Sequence, residues 1–297
     1  LRCAGGPTMR YYHLRSDGGQ RLVARDDGGA TDLTAAKPRL TSFGDLARTA
    51  NVAERTVDEV AGNLRGDGET VAVDRLRTEA TRPLRPDEVW AAGVTYQISE
   101  EAREAESGMP EMYLDVYSAE RPEIFFKATP NRTVGPGEGV GIRADSDWDV
   151  PEPELGVVLY DEEIVGYTIG NDMSSRSIEG ANPLYLPQAK VYDRCCAVGP
   201  CIASPATIGD PHDLAMSMAI ERDGDRVFED STRTSEMARS VEELVSYYTR
   251  HNDVPELAVL LTGTSLVPPD EFTLREGDEL QMEIDRIGRL ENHVVPV

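Results

Sequence analysis

The chain has 297 residues, 39% of them apolar, so it is long and apolar enough to bury a large core and is not a disordered polypeptide. Its 54 acidic residues against 30 basic ones give a net charge of -24, which argues against nucleic acid as a partner and indicates adaptation to high salt, as in a halophilic archaeon. No apolar run reaches about 18 residues and no signal-peptide pattern opens the chain, so we expect a cytoplasmic protein without a membrane partner.

The first part of the chain mixes short alternating runs with glycine-rich turns. Its patterns predict two helices, near 43–50 and 54–63. We interpret 1–84 as a small N-terminal α/β domain, in which 1–8 is an upstream extension. Two closely spaced prolines end it, and a second domain is predicted to cover 85–297.

The second part is predicted to be rich in short strands. Alternating apolar patterns bounded by turn residues predict strands at 88–93, 122–128, 154–160, 164–170, 198–203, 214–222 and 279–286. One clear helix is predicted at 234–250, and the polar run 99–107 is typical of a mobile helix or lid. We therefore expect an α+β fold dominated by strands.

Three carboxylates stand close together in this pattern. Glu152 and Glu154 are two residues apart on a predicted strand, so their side chains share a face. Asp172 ends the strand that follows. Beside an apolar run, unpaired charges would be costly unless a cation received them. Three hard oxygen ligands without histidine or thiolate favour Mg²⁺ or Mn²⁺.

The register of the predicted hairpin decides which acids face each other. Pairing of Tyr160 with Ile164 places Asp172 opposite the first glutamate of the triplet. Pairing of Tyr160 with Gly166 places it opposite the second. Either register brings the three acids together.

Lysine is rare in this chain and supplies the next candidates. Three of the 30 basic residues are lysines, Lys37, Lys127 and Lys190, and the last two flank the acid triplet. Because positive charge is otherwise carried by arginine, a retained lysine indicates a compact ammonium with an adjustable pKa. Glu123 and Lys127 share one face of a predicted strand, which could border a pocket. No histidine lies in this region, so Glu123 and Lys190 are the candidate bases.

A divalent ion held by three acids, with lysines nearby, fits enolate chemistry on a 2-oxo acid. The metal would chelate the carboxylate and 2-oxo oxygens of the substrate and stabilise the enolate that forms when a base removes a C3 proton. A hydroxyl at C4 could then leave as water. The polar turn at 261–265 is suited to offer backbone N–H and hydroxyl groups to an anionic ligand.

These residues carry a family resemblance. The pattern Glu152-x-Glu154, followed by Gly-Tyr-Thr-x-x-Asn-Asp172-x-Ser-x-Arg176, resembles the fumarylacetoacetate hydrolase superfamily. The runs 121–132 and 179–190 are similar to its archaeal 2-keto-3-deoxy-D-arabinonate dehydratase branch. The resemblance implies a mixed β-roll catalytic domain, a homo-oligomer (dimer or tetramer), and Mg²⁺ on the acid triplet, with Mn²⁺ or Ca²⁺ as substitutes.

The resemblance also implies the substrate contacts and the reaction. The implied substrate-binding residues are Lys127, Tyr96, Arg176, Gly263 and Thr264. Hydrolytic members carry a histidine where this chain has Ser99, which favours a dehydratase that needs no activated water. The implied activity converts a 2-keto-3-deoxy-pentonate to 2,5-dioxopentanoate. The derivatives of D-xylonate and D-arabinonate are the same compound, so the parent sugar stays open.

Two alternatives accompany this interpretation. A hydrolase or decarboxylase of a β-dicarbonyl acid, such as oxaloacetate, would use the same metal and enolate chemistry. A non-catalytic acidic domain that binds a divalent cation or a partner protein would explain the carboxylates as surface adaptation. A structure with Lys127 and Lys190 far from Asp172, or the absence of divalent-ion binding by calorimetry, would favour the second alternative.

Overall fold

The structure is a computed structural model, and it describes residues 8–16, 18–96 and 116–297. The predicted helix or lid at 99–107, and with it Ser99, lies outside the described residues. In the part that is described, no helix is both long and apolar enough to cross a membrane.

Strands and short helices alternate along the described chain. The strands are β1 (Arg10–Ser16), β2 (Gly19–Asp26), β3 (Gly29–Asp32), β4 (Glu69–Val71), β5 (Ala80–Thr81), β6 (Glu88–Gly93), β7 (Glu123–Ala128), β8 (Thr133–Val134), β9 (Gly139–Ile142), β10 (Asp149–Val150), β11 (Pro153–Tyr160), β12 (Glu163–Asp172), β13 (Ser174–Ser175), β14 (Cys196–Ala203), β15 (Ala215–Arg222), β16 (Asp225–Arg233), β17 (Leu257–Leu261), β18 (Glu279–Ile284) and β19 (Gly288–Pro296). The α-helices are α1 (Leu33–Ala36), α2 (Phe43–Val52), α3 (Val57–Leu64), α4 (Val73–Thr78), α5 (Arg176–Ala181), α6 (Leu186–Lys190), α7 (Pro205–Ile208) and α8 (Val241–Thr249), with 3₁₀ turns at Arg65–Asp67, Pro183–Tyr185 and Thr234–Glu236.

One large sheet organises the molecule. Its strands follow the order β4-β3-β2-β1-β14-β12-β11-β17-β6-β7, with β5 paired to β1 and β8 to β14. A second sheet has the order β16-β15-β18-β19-β9, and β10 and β13 form a two-stranded ribbon. The expected strand-rich α+β fold is confirmed. Strands from both sides of residue 84 share the large sheet through the antiparallel β1–β14 pair, and the two-domain division at that residue stays a prediction.

The β11–β12 hairpin lies at the centre of the large sheet. Every residue of β11 is buried, because β12 and β17 flank it and its apolar side chains pack on both faces of the sheet. Glycines allow this close packing: a Cβ at Gly170 would collide with the side chain of Leu261. The hairpin is therefore a rigid support for the acids at its open end.

Most predicted elements are observed close to their predicted bounds. The largest differences are at two helices that begin later than predicted. The predicted strand 88–93 is observed as β6, whereas the predicted helix 234–250 begins only at Val241. Ser240 caps α8 by accepting a hydrogen bond from the Glu243 N–H, and a 3₁₀ turn occupies the residues before it. The predicted helix 54–63 likewise begins later, after an N-cap and a reciprocal capping box.

Candidate active site

A cavity of about 290 Å³ opens beside the free end of the β11–β12 hairpin. Its walls come from the end of β6, from β7, from helices α5 and α6, and from the loop after β17. All the predicted site residues except Lys127 line it, namely Tyr96, Glu123, Glu152, Glu154, Asp172, Arg176, Lys190, Gly263 and Thr264. A larger cleft of about 1110 Å³, between the N-terminal strands and the 131–138 loop, contains none of them.

The three acids converge as the sequence predicted. Glu152, Glu154 and Asp172 are all buried, and one carboxylate oxygen from each lies within 4.8 Å of the others. In the hairpin Glu154 pairs with Gly170, and the Asp172 N–H donates to the Glu152 carbonyl oxygen at 2.9 Å. Asp172 therefore faces Glu152, the first of the two predicted registers.

The strands pair differently near the turn than the prediction assumed, although they reach the predicted register further along. Tyr160 pairs with Glu163 rather than with Ile164, and a bulge further along restores the predicted register. Asp161 and Glu162 both adopt positive φ angles, 51° and 66°, so the connection is a tight left-handed two-residue turn. The bulge adds one residue to β12 and brings the acids onto one face.

The charges around the triplet are unevenly compensated. Burial alone would raise the pKa of Glu152, but Lys190 and Arg176 outweigh it and lower that pKa to about 2. Burial, Asp172 and Glu152 raise the pKa of Glu154 well above its usual value, although its Oε2 accepts the Gly263 N–H at 2.6 Å. A divalent cation bound by the three acids would favour the ionised form of Glu154, which none of the nearby cations in the described residues contacts directly, so these residues fit a hard metal ion.

Lys190 and Lys127 both contact the acid triplet through their ammonium groups. The Lys190 ammonium donates to Glu152 Oε2 at 2.7 Å, to Asp172 Oδ2 at 3.1 Å and to Ser174 Oγ at 2.6 Å. An ammonium has three N–H groups, so none is left over. Asp172 and Glu152 raise the Lys190 pKa well above its ordinary value, although burial opposes them. Lys190 is therefore a permanent cation in this arrangement.

Lys127 lies behind the triplet, fully buried. Its ammonium pairs with Asp172 Oδ1 at 2.6 Å and donates to the carbonyl oxygens of Met173 and Lys190. It thus holds one metal-ligand candidate and the backbone of the neighbouring lysine at the same time. Both lysines lie close to Asp172, so the arrangement that would favour the non-catalytic alternative is not observed among the described residues.

Glu123 enters the cavity from β7. Its carboxylate packs over Gly93, where a Cβ would collide with it. Burial, followed by the charge of Glu179, raises the Glu123 pKa to about 7, and Lys190 opposes this rise. A carboxyl group that exchanges its proton near neutral pH is suited to general acid–base work.

The remaining predicted residues supply polar groups. Arg176 Nη2 donates to Glu152 Oε1 at 2.8 Å, so this arginine orients a carboxylate of the triplet. The Tyr96 hydroxyl is buried and has no hydrogen-bond partner among the described residues, although Tyr96 lines the cavity. Gly263 adopts a φ of 83° and points its N–H at Glu154, and Thr264 follows it on the cavity wall.

Sequence reasoning assigned no role to two residues that the structure places here. Glu179 lines the cavity, and its Oε2 is buried without a hydrogen-bond partner in the described part of the chain. Ser174 accepts a hydrogen bond from Lys190. Both belong to runs that carry the family resemblance, but their chemistry depends on which buried groups they contact, and spacing alone does not reveal this.

Comparison with known proteins places the chain in a family. Residues 88–295 match the model of the fumarylacetoacetate (FAA) hydrolase C-terminal family. The chain is 60% identical over 289 residues, 97% of its length and 100% of the relative's, to a probable 2-keto-3-deoxyxylonate dehydratase of Haloferax volcanii. It is 45% identical over 216 residues, 71% of its length and 72% of the relative's, to a 2-dehydro-3-deoxy-D-arabinonate dehydratase of Saccharolobus solfataricus.

Solved structures agree with these relatives. A 2-keto-3-deoxy-D-arabinonate dehydratase complexed with magnesium and 2,5-dioxopentanoate superposes with a TM-score of 0.83 at 34% identity, covering 97% of this chain and 99% of the other. A hexagonal crystal form of 2-keto-3-deoxyarabinonate dehydratase superposes with a TM-score of 0.85 over the same shares.

Proposed function

We infer that this chain, which belongs to the fumarylacetoacetate hydrolase family, is a hydro-lyase that removes water from a 2-keto-3-deoxy-pentonate to give 2,5-dioxopentanoate. The observation that carries the proposal is the buried acid triplet beside Glu123 and Lys190, in a chain similar over its whole length to dehydratases of this substrate class.

Glu152, Glu154 and Asp172 would hold Mg²⁺, the ion named for the related complex. When bound, a divalent ion supplies a Lewis acid that polarises the 2-oxo group and makes the C3 protons more acidic. Lys190 and Arg176 hold the Glu152 carboxylate in place, and Lys127 and Lys190 hold that of Asp172. The bound cation itself would favour the ionised form of Glu154, whose pKa is raised without it. The role that we propose for Lys127 is therefore positioning, since it contacts Asp172 from behind and does not line the cavity.

Of the two candidate bases, the contacts favour Glu123. Lys190 donates all three of its N–H groups and has a raised pKa, so it carries no free electron pair to accept a proton. Glu123 lies on the cavity wall with a pKa of about 7, which makes its carboxylate form abundant and basic near neutrality.

The overall reaction balances without an oxidant. Removal of a C3 proton and departure of the C4 hydroxyl release one water and leave a C3–C4 double bond conjugated to the 2-oxo group. A proton shift from C5 to C3, and another from the C5 hydroxyl to C4, then turn the C5 alcohol into the aldehyde of 2,5-dioxopentanoate. The reaction thus needs a group that both accepts and returns protons, as a carboxyl near its pKa does.

The test is turnover of the purified protein. Incubated with 2-keto-3-deoxy-pentonate and MgCl₂ in concentrated KCl, it should release 2,5-dioxopentanoate, visible as an aldehyde signal by NMR. Glu152→Gln should lose both turnover and Mg²⁺ binding measured by calorimetry, whereas Glu163→Gln, at the exposed start of β12 in the same hairpin, should lose neither. Absence of product at high salt would contradict the proposal, and faster turnover of oxaloacetate or an acylpyruvate would favour the hydrolase or decarboxylase alternative.

Three further properties, expected from the sequence pattern or from the resemblance, stay predictions. They are the substitution of Mn²⁺ or Ca²⁺ for Mg²⁺, assembly as a homo-oligomer, and a cytoplasmic location. Size-exclusion chromatography with light scattering would determine the assembly. Turnover with each metal would determine the ion preference.

A further inference from the structure

The charges that line the cavity are distributed unequally. Of the described lining residues, two are basic, Lys190 and Arg176. Six are acidic, namely Glu123, Glu152, Glu154, Asp172, Glu179 and Asp270. We call the part of the cavity beside Glu152, Glu154 and Asp172 the metal end. The two cations both contact Glu152, so they belong to this end.

The metal end can accept a limited amount of negative charge. Lys190, Arg176 and the buried Lys127 supply three positive charges, which equal the three negative charges of the triplet. A divalent ion would add two more positive charges. That surplus matches one substrate carboxylate and the negative charge that develops on one 2-oxo oxygen during proton removal. A second carboxylate has no counterpart at this end.

The rest of the cavity carries acids that form no ion pair within the described residues, although the charge of Lys190 acts on Glu123 and Glu179 from the metal end of the cavity. Glu123, Glu179 and Asp270 line it, and Lys190 is already committed to the triplet. The Oε2 atom of Glu179 is buried and accepts no hydrogen bond from any described residue. Glu179 also contributes to the raised pKa of Glu123, so the two carboxylates repel each other before any ligand arrives. An added anion here would meet like charge at low dielectric.

Neutral polar groups are available for an uncharged ligand. Tyr96 lines the cavity and is about 1% exposed, and its buried hydroxyl has no hydrogen-bond partner among the described residues. Thr264 and Ser265 add hydroxyl groups on the adjacent wall. Hydroxyl or aldehyde oxygens of a substrate can therefore accept hydrogen bonds from these groups, and substrate hydroxyl groups can donate to the acids.

We propose that this charge distribution restricts the cavity to 2-oxo acids with one carboxylate and an uncharged tail, and that Glu179 and Asp270 reject 2-oxo dicarboxylates. The inference rests on the proposed function only for the assignment of the acid triplet to the substrate's 2-oxo acid end. It names a class of substrate by charge, independent of which bond is broken.

The rejection should survive the high salt in which the protein is expected to work. Exposed charges are screened within about 3 Å at 1 M salt, but partly buried ones are screened much less. Asp270 is exposed, whereas Glu179 has a buried carboxylate oxygen. We therefore expect Glu179 to contribute most of the discrimination in concentrated KCl.

Two five-carbon ligands, 2-oxopentanoate and 2-oxoglutarate, test the inference. At C5 the first carries a methyl group and the second a carboxylate. Calorimetric titration at saturating Mg²⁺ in concentrated KCl should give wild-type protein a preference of about tenfold or more for 2-oxopentanoate. Glu179→Gln should reduce this preference by about fivefold through tighter 2-oxoglutarate binding, and Asp270→Asn should reduce it less. Glu271→Gln, the neighbouring exposed acid that does not line the cavity, should leave it unchanged.

The outcomes separate this inference from the proposed function. Equal binding of the two ligands by wild-type protein would overturn the inference, even if the pentonate is dehydrated. An unchanged preference in both Glu179→Gln and Asp270→Asn would overturn the role of these residues. A strong preference for 2-oxopentanoate that weakens in Glu179→Gln would support the inference even if no dehydration occurred.

Discussion

The chemistry of Glu123 depends on its surroundings. An exposed glutamate is fully ionised at neutral pH, but burial and the neighbouring Glu179 raise the Glu123 pKa to about 7. A base must be deprotonated to act, so kcat/KM for dehydration should rise with pH through about 7 at saturating Mg²⁺. A lysine base would move the rise to strongly alkaline pH, since the Lys190 pKa lies well above its ordinary value.

The matching variant is Glu123→Gln, which keeps the shape of the side chain and removes its basicity. Turnover should fall about 10²–10⁴-fold, while Mg²⁺ affinity measured by calorimetry should stay near that of the wild type, because Glu123 is not part of the triplet. A pH profile that is flat between about 5.5 and 8.5, or a variant that retains full turnover, would remove Glu123 from the role of base.

The sequence predicted the identity of most cavity residues but not the depth at which each one lies. Strand alternation predicted that Glu123 and Lys127 share a face of β7, whose pairing with β6 shifts register at Lys127 in the structure. They are four residues apart, about 13 Å along a strand, so Glu123 reaches the cavity and Lys127 ends behind Asp172. Alternation determines the face of a side chain, whereas its distance from the cavity depends on how far the pocket extends along the strand.

At the scale of elements, the connection after β17 joins the sheet to the metal end of the cavity. Gly263 has a φ of 83°, and a Cβ there would collide with the Thr95 side chain and press on the Ala92 carbonyl oxygen. Gly263→Ala should therefore destabilise the fold by about 2–4 kcal/mol and weaken Mg²⁺ binding, because its N–H could no longer hold Glu154 in place. Chemical unfolding and calorimetry measure the two effects.

Gly224→Ala is the matched control for that substitution. Gly224 has a similar φ of 87°, but nothing lies within 4 Å of the position that its Cβ would occupy. It should show only the cost of a left-handed alanine, about 1 kcal/mol, with normal Mg²⁺ affinity. If the two variants behaved alike, the packing of Gly263 against the β6 end would not matter to the site.

The central hairpin shows how far local patterns determine an element. Side-chain alternation and the polar run at 161–163 predicted two strands, and both possible registers brought the acids together. The bulge in β12 was not predictable, because it depends on the left-handed turn at Asp161 and Glu162 and on packing against β14 and β17. The convergence of the acids depends on this bulge, since it returns the hairpin to a register in which Asp172 and Glu152 share a face.

At the scale of the whole molecule, the long-range pairing of strands was beyond local patterns. The antiparallel pair of β1 and β14 matches Tyr11 with Ile202, two residues that lie far apart in the chain. Alternation and turn residues predict that each strand exists, but the choice of partner depends on the packing of the complete sheet. The N-terminal strands thereby continue the sheet that carries the acid triplet.

The net charge of -24 is also a property of the whole molecule, and it makes stability depend on salt. Exposed acids that face other acids repel over a screening length of about 10 Å at 0.1 M salt and about 3 Å at 1 M. The melting temperature should therefore rise by about 5 °C or more between about 0.1 M and 2 M KCl, measured by scanning calorimetry.

A variant with Glu162, Glu271 and Glu276 changed to Gln removes three exposed charges that form no ion pair within the described residues. It should melt at a higher temperature than the wild type at low salt, and its melting temperature should depend less on salt. Parallel slopes for the variant and the wild type would mean that salt acts through hydration of the whole surface and not through screening of these carboxylates.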